Sequence, residues 1–141
     1  MKYLLPILLV GLSALPAFAA PPPYSGPDYG GTYECKGNDG HDGPYSSTVT
    51  LTLIKEQSFG KYAAYAFEMK VPGFGTYPGH GAAEGNTAAI YFANTDQSNK
   101  DFGTGIVKFS KAKSGKWQFS KFYYEPEYKA GNYGTENCVQ S

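Results

Sequence analysis

Only two histidines, His41 and His80, are available to move protons near neutral pH, and neither stands in a pattern that hydrolysis needs. No Gly-x-Ser-x-Gly turn offers a nucleophile. Carboxylates come in two close pairs, Asp39 with Asp42 and Glu125 with Glu127. The first pair lies in Lys36-Gly-Asn-Asp-Gly-His-Asp-Gly43, whose residue types are those of a hairpin loop, where short acidic side chains accept from backbone N–H groups. Asp39, His41 and Asp42 could instead ligate a metal, but their spacing does not fit a calcium loop. The turn reading is preferred, with no metal and no cofactor. His80 falls in Pro78-Gly-His-Gly-Ala-Ala-Glu84, too rich in glycine for the helix that would bring His80 and Glu84 together. No nucleophile, base and orienting group assemble, so the expectation is a protein that binds and does not catalyse.

Two other stretches carry binding chemistry. Tyr123-Tyr124-Glu125-Pro126-Glu127-Tyr128, continuing to Tyr133, sets tyrosines among polar turn residues. That is the composition of a protein-binding loop, because tyrosine contributes large contact area at little cost in rotamer entropy. The competing role for these tyrosines is to close the end of the fold. Just before them, Lys108, Lys111, Lys113, Lys116 and Lys121 fall in one hairpin with no acid among them. Lysines keep a hairpin tip soluble; the functional alternative is contact with an anionic envelope surface, screened by salt.

The elements that position these residues begin after a leader. Lys2 precedes a nearly uniform apolar run, Tyr3 to Ala14, and Pro16 then introduces Ala17-Phe18-Ala19, the small-x-small pattern of a secretory cleavage site. The expected signal peptide is 1–19, with the apolar run short for a transmembrane span. Pro-rich 20–30 reads as an extended N-terminal tether, and 31–141 as one domain, periplasmic or secreted. The chain holds 12 lysines and no arginine against 12 acids, which argues against a nucleic-acid partner. Cys35 and Cys138 are the only cysteines. An even pair in an exported chain reads as a disulfide, and a bond between them requires the first and last strands to be neighbours.

Six times a glycine stands two places before an aromatic, at Gly31, Gly43, Gly60, Gly75, Gly115 and Gly131, with weaker echoes at Gly85 and Gly103. Eight turn-then-strand marks at this spacing predict about eight strands. Thr48 to Leu53 alternates strictly, with Val49, Leu51 and Leu53 on one face. Tyr65, Phe67, Met69 and Val71 form one face of the next strand, and Gly105, Val107 and Phe109 one face of a later one. Ala88 to Ala93 is a short apolar run bounded like a strand. In Trp117 to Tyr124 the alternation slips phase after Phe119, which predicts a β-bulge near Ser120. The fold expected is all-β, a single antiparallel up-and-down barrel closed by the disulfide. Eight strands enclose either a filled core or one small ligand; in the second case Tyr65, Phe67, Tyr91, Phe109 and Trp117 would line a site for an apolar or aromatic compound.

Tyr33-Glu34-Cys35 near the start and Asn137-Cys138 at the end resemble the Tyr-x-Cys opening and late cysteine of periplasmic c-type lysozyme inhibitors. Gly73-Phe74-Gly75-Thr76-Tyr77 is a loose counterpart of that group's inhibitory loop, without its serines. Gly31-Thr-Tyr33 and Gly115-Lys-Trp117 are also similar to the strand openings of lipocalin-like and avidin-like barrels. The resemblance implies loops that engage a protein, a lysozyme first of all, through Phe74 and Tyr77 together with Tyr123, Tyr124, Glu125, Glu127, Tyr128 and Tyr133.

Overall fold

The computed structural model describes residues 20–141, so the expected signal peptide lies outside the described residues. Eight strands follow in order: β1 Gly31–Asp39, β2 Gly43–Leu53, β3 Tyr62–Val71, β4 Gly75–Glu84, β5 Thr87–Ala93, β6 Phe102–Lys111, β7 Trp117–Glu125 and β8 Asn132–Gln140. Each pairs antiparallel with the next, and β8 returns to β1, so the sheet is a closed barrel. Every strand begins within two residues of one of the eight glycine marks. Seven of those eight glycines take the positive φ that the turn before a strand needs, Gly103 being the exception.

Closure is made where Cys35 faces Cys138 in register across β1 and β8, and the two sulfurs are bonded. The bond spans 103 residues. Closing a loop of that order removes about 4–5 kcal/mol of denatured-state entropy in the chain-entropy account.

Side chains alternate in and out along every strand, and the apolar set points in: Tyr33, Val49, Leu51, Tyr65, Phe67, Met69, Ile90, Phe92, Val107, Phe109 and Phe119 are all buried. Threonines and most lysines and glutamates face out. A membrane barrel has the opposite sense, with apolar side chains outside and a polar lumen.

The bulge expected near Ser120 does not form. β7 pairs residue for residue with β8 from Gln118–Val139 to Glu125–Asn132. Strict alternation after Phe119 therefore sends Lys121 and Tyr123 inward and leaves Phe122 and Tyr124 outside. Lys121 thus leaves the lysine surface: its side chain is fully buried. Lys108, Lys111, Lys113 and Lys116 stay exposed, and the Lys111 ammonium sits 3.5 Å over the Trp117 ring.

The tether is also more than a tether. Pro23 bridges to Phe59, Ser25 N–H donates to Gly60 O at 2.9 Å, and Tyr29 enters the core.

Candidate functional site

The barrel has two unlike ends. At the end where the chain enters, Tyr29 acts as a stopper. Its ring stacks on Phe109 at 3.9 Å and meets Trp117 edge-on at 4.8 Å. Its hydroxyl donates to Gly85 O at 2.8 Å, its N–H donates to the Tyr65 hydroxyl at 3.0 Å, and its carbonyl accepts from the Tyr33 hydroxyl at 2.7 Å. Burial, with the charge of Asp28 behind it, pushes the Tyr33 phenol up to about 12, so it remains a donor. Of the residues expected to line a ligand cavity, Tyr65, Phe109 and Trp117 are therefore engaged in the stopper. Phe67 packs tilted against Phe92 in the barrel's middle, and Tyr91 points outward.

Across that middle runs an ion pair. Lys121 of β7 faces Glu136 of β8 in register, with Nζ 2.5 Å from Oε2 and both side chains fully buried. Ser47 donates to the other carboxylate oxygen. Lys121 Nζ also lies 3.4 Å from Met69 Sδ and faces the Phe67, Phe92 and Tyr123 rings at 5.2–5.6 Å. Both charges are compensated where water cannot reach, which a buried pair requires.

The opposite end is open and acidic. Three hairpin connections and the β5–β6 segment surround a cavity of about 80 Å³, walled by Tyr45, Tyr77, Tyr123, Tyr128 and Phe74, floored by Met69 and Val71, and rimmed by Asp39, Asp42, Asp101 and Glu125. Two glycines make room for the rings: a Cβ at Gly37 would lie 2.2 Å from the Tyr45 ring, and one at Gly134 would lie 2.2 Å from the Tyr123 hydroxyl.

Asp39 holds the rim. Its carboxylate accepts from the His41 and Asp42 N–H groups at 2.7 and 2.9 Å, from the Tyr123 hydroxyl at 2.8 Å, and from Asn132 Nδ2 at 3.0 Å. Burial alone would raise its pKa, but these donors outweigh burial and hold it below the ordinary value. The turn reading of Asp39 is what its bonds describe. His41 leans on the Tyr128 ring, centroids 4.9 Å apart, with Nδ1 3.1 Å from Asp42.

Glu125 behaves differently. Burial pushes its carboxyl up to about 7; the hydrogen bond from Asn132 at 2.6 Å opposes this, and the charges of Asp39, Asp101 and Glu127 add to it. Carboxylate oxygens of Asp101, Glu125 and Glu127 lie within 4.8 Å of one another. Tyr77 donates to Asp101 at 2.6 Å, and Phe102 N–H donates to Glu127 Oε1 at 3.1 Å. Glu127 Oε2 and the Tyr45 hydroxyl are buried without a hydrogen-bond partner among the described residues. Burial beside the Asp39 and Glu136 carboxylates keeps the Tyr45 phenol protonated far above neutrality. The rim is thus a ring of acceptors over aromatic walls, a chemistry that suits a cation.

Of the residues expected to bind a partner, the open end collects Phe74, Tyr77, Tyr123, Glu125 and Tyr128, with Glu127 beside them. Tyr124 and Tyr133 are not there; they stand on the outer wall, 43% and 65% exposed. Asp101 and Tyr45 were missed because each is far from the aromatic loop in sequence, and Asn132, within that loop, because only the fold brings Asp39 to it. Lys121 and Glu136 were legible in principle: each lies two residues from an inward-facing neighbour, Phe119 and Cys138.

No family model, curated protein or solved structure matches the chain.

Proposed function

We propose that this is an exported, non-enzymatic binding protein that takes a cationic side chain of a protein partner, lysine or arginine, into its open end. The observation that supports this reading is the acid-rimmed, tyrosine-walled cavity of about 80 Å³. Pockets for drug-sized ligands run from about 300 to 1,000 Å³, so this one accommodates the head of one long side chain. Exposed Phe74 on the rim offers an anchor around which a larger interface can pack. The disulfide fits an oxidising compartment, which is where the leader would send the chain. The interior argues against a carrier of apolar compounds, because the volume such a ligand needs is filled by the stopper, the ion pair and the packed rings.

The resemblance to lysozyme inhibitors nominates a c-type lysozyme as the first partner to test. The expected result is inhibition in a turbidity assay, with affinity falling as salt rises. Asp101→Asn or Phe74→Ala should weaken binding at least tenfold, on the order of 1.4 kcal/mol. If neither c-type lysozyme nor lysine- and arginine-rich peptides bind at low ionic strength, the reading is lost.

A further inference from the structure

The carboxylates of the open rim converge on one point. Asp101 ends the β5–β6 segment, Glu125 ends β7 and Glu127 stands in the β7–β8 connection, yet one carboxylate oxygen of each lies within 4.8 Å of the other two. Protein donors hold them there. Tyr77 donates to Asp101 at 2.6 Å, Asn132 Nδ2 to Glu125 at 2.6 Å and Phe102 N–H to Glu127 Oε1 at 3.1 Å. The other oxygen of Glu127, Oε2, is buried and has no hydrogen-bond partner among the described residues. A buried acceptor without a donor is destabilising, and a ligand that brings an N–H relieves it. Asp101 and Glu125 also line the aromatic cavity, so the cluster borders it.

The acceptors separate the cations that could meet them. A primary ammonium is a compact charge whose N–H groups point tetrahedrally. Acceptors about 2.8 Å from such a nitrogen stand about 4.6 Å apart, within the spacing of the cluster. A guanidinium is planar and wider, and its fork matches the paired oxygens of one carboxylate, whereas these three oxygens come from three carboxylates. A quaternary ammonium has no N–H; it would use the aromatic walls and leave Glu127 Oε2 unmet. A calcium ion takes about six to eight oxygens, and here three carboxylates already accept from protein donors. Phe74 and Tyr77, on the cavity wall, give apolar surface along which a methylene stem can lie.

We propose that the open end selects lysine over arginine, with Asp101, Glu125 and Glu127 converging on the ammonium of a single lysine side chain. The assignment rests on the reading of the open end as a cation-binding site and adds which cation it takes. Glu127 sets the preference, because its Oε2 is the acceptor in the cluster that no protein donor uses. Tyr77, Asn132 and Phe102 act as positioning groups: they fix the three carboxylates before the ligand arrives, so little ordering remains to oppose binding.

The test is calorimetry on the mature chain at low ionic strength and about pH 8, where Glu125, its carboxyl pushed up to about 7, is ionised. The ligands are short peptides identical except for one central residue: lysine, arginine or trimethylated lysine. The lysine peptide should bind about tenfold tighter than either of the others, the worth of roughly one charged hydrogen bond. Glu127→Gln should remove that gap, since it keeps an oxygen for Phe102 N–H but sets an amide N–H against the ammonium. Should this variant melt well below the parent, Asp101→Asn, which removes another of the converging charges, serves in its place. Four results overturn the proposal while sparing the wider reading: arginine binding as tightly as lysine, trimethylated lysine doing so, a preference that neither substitution changes, or a calcium ion held at the cluster that the lysine peptide does not displace. If none of the peptides binds, the cation-binding reading falls with it.

Discussion

The closed and open ends are built from the same residue type and reach opposite outcomes. At the closed end the Tyr29, Tyr33 and Tyr65 hydroxyls all meet backbone partners, and Tyr29 fills the space among Tyr65, Phe109 and Trp117. At the open end Tyr77 and Tyr123 donate to carboxylates, and the buried Tyr45 hydroxyl makes no hydrogen bond of good geometry among the described residues. A buried polar group left unsatisfied costs about 1–3 kcal/mol. The closed end uses its aromatics for stability; the open end leaves polar groups unsatisfied, as the proposed binding role requires. Tyrosine alone therefore does not mark a binding site, and what distinguishes the two is whether the hydroxyl's partner comes from the backbone or from an acid in excess of donors.

The sharpest division between the ends lies at the ion pair between them. Lys121→Ala should destabilise the fold by about 3–5 kcal/mol, because Glu136 is then buried without its counter-charge. Replacing the pair together, Lys121→Met with Glu136→Gln, should recover most of that loss in urea denaturation. If the single and double variants unfold alike, the pair is not what holds the barrel's middle.

Next in size is the stopper. Tyr29→Ala should cost about 3 kcal/mol, at the low end for removal of a buried aromatic, yet leave partner affinity unchanged. The reverse pattern is expected for Phe74→Ala, half-exposed at the rim: stability within about 0.5 kcal/mol of the parent, with binding lost. Thermal melts and calorimetry on both variants would erase the comparison if Tyr29→Ala weakened binding as much as Phe74→Ala.

The smallest effect is a pH signature confined to the open end. Glu125 has its folded pKa raised from 4.5 to about 7, so the folded chain holds this proton more tightly than the unfolded chain between those values. Its contribution is greatest below the unfolded value and is lost as pH rises through about 7. Glu125→Gln should therefore raise the melting temperature by a few degrees near pH 8 and leave it almost unchanged near pH 4, a shift of the size expected for about 1 kcal/mol or less. In the parent, affinity for a cationic partner should climb through the same window as the carboxylate ionises, and the substitution should flatten that climb.

The barrel was legible because strand pattern and turn chemistry are local. Glycine two places before an aromatic records a turn exit and a strand start within three residues, and alternation in Thr48 to Leu53 records the face. The slip after Phe119 was misread for an equally physical reason: a lysine is expected outside, and only the partner Glu136, fifteen places on, makes it tolerable inside. Tyr29 was misplaced in the same way, since a proline-rich neighbourhood says nothing of the Phe109 and Trp117 rings that receive it.

By itself the sequence determined the strand count, the turns, the inward face of most strands and the closure that two cysteines demand. These rest on φ/ψ preference, period-two patterning and covalent reach, all properties of short stretches. Only the tertiary structure decided which tyrosines become a stopper, which become the walls of a cavity and which remain on the outer wall. Loops from β1–β2, β3–β4, β5–β6 and β7–β8 meet at one end only after closure. The excess of carboxylates that defines the candidate site exists only when Asp39, Asp101 and Glu125, scattered along the chain, share one rim, because electrostatic fields depend on distance in space and not on position in sequence.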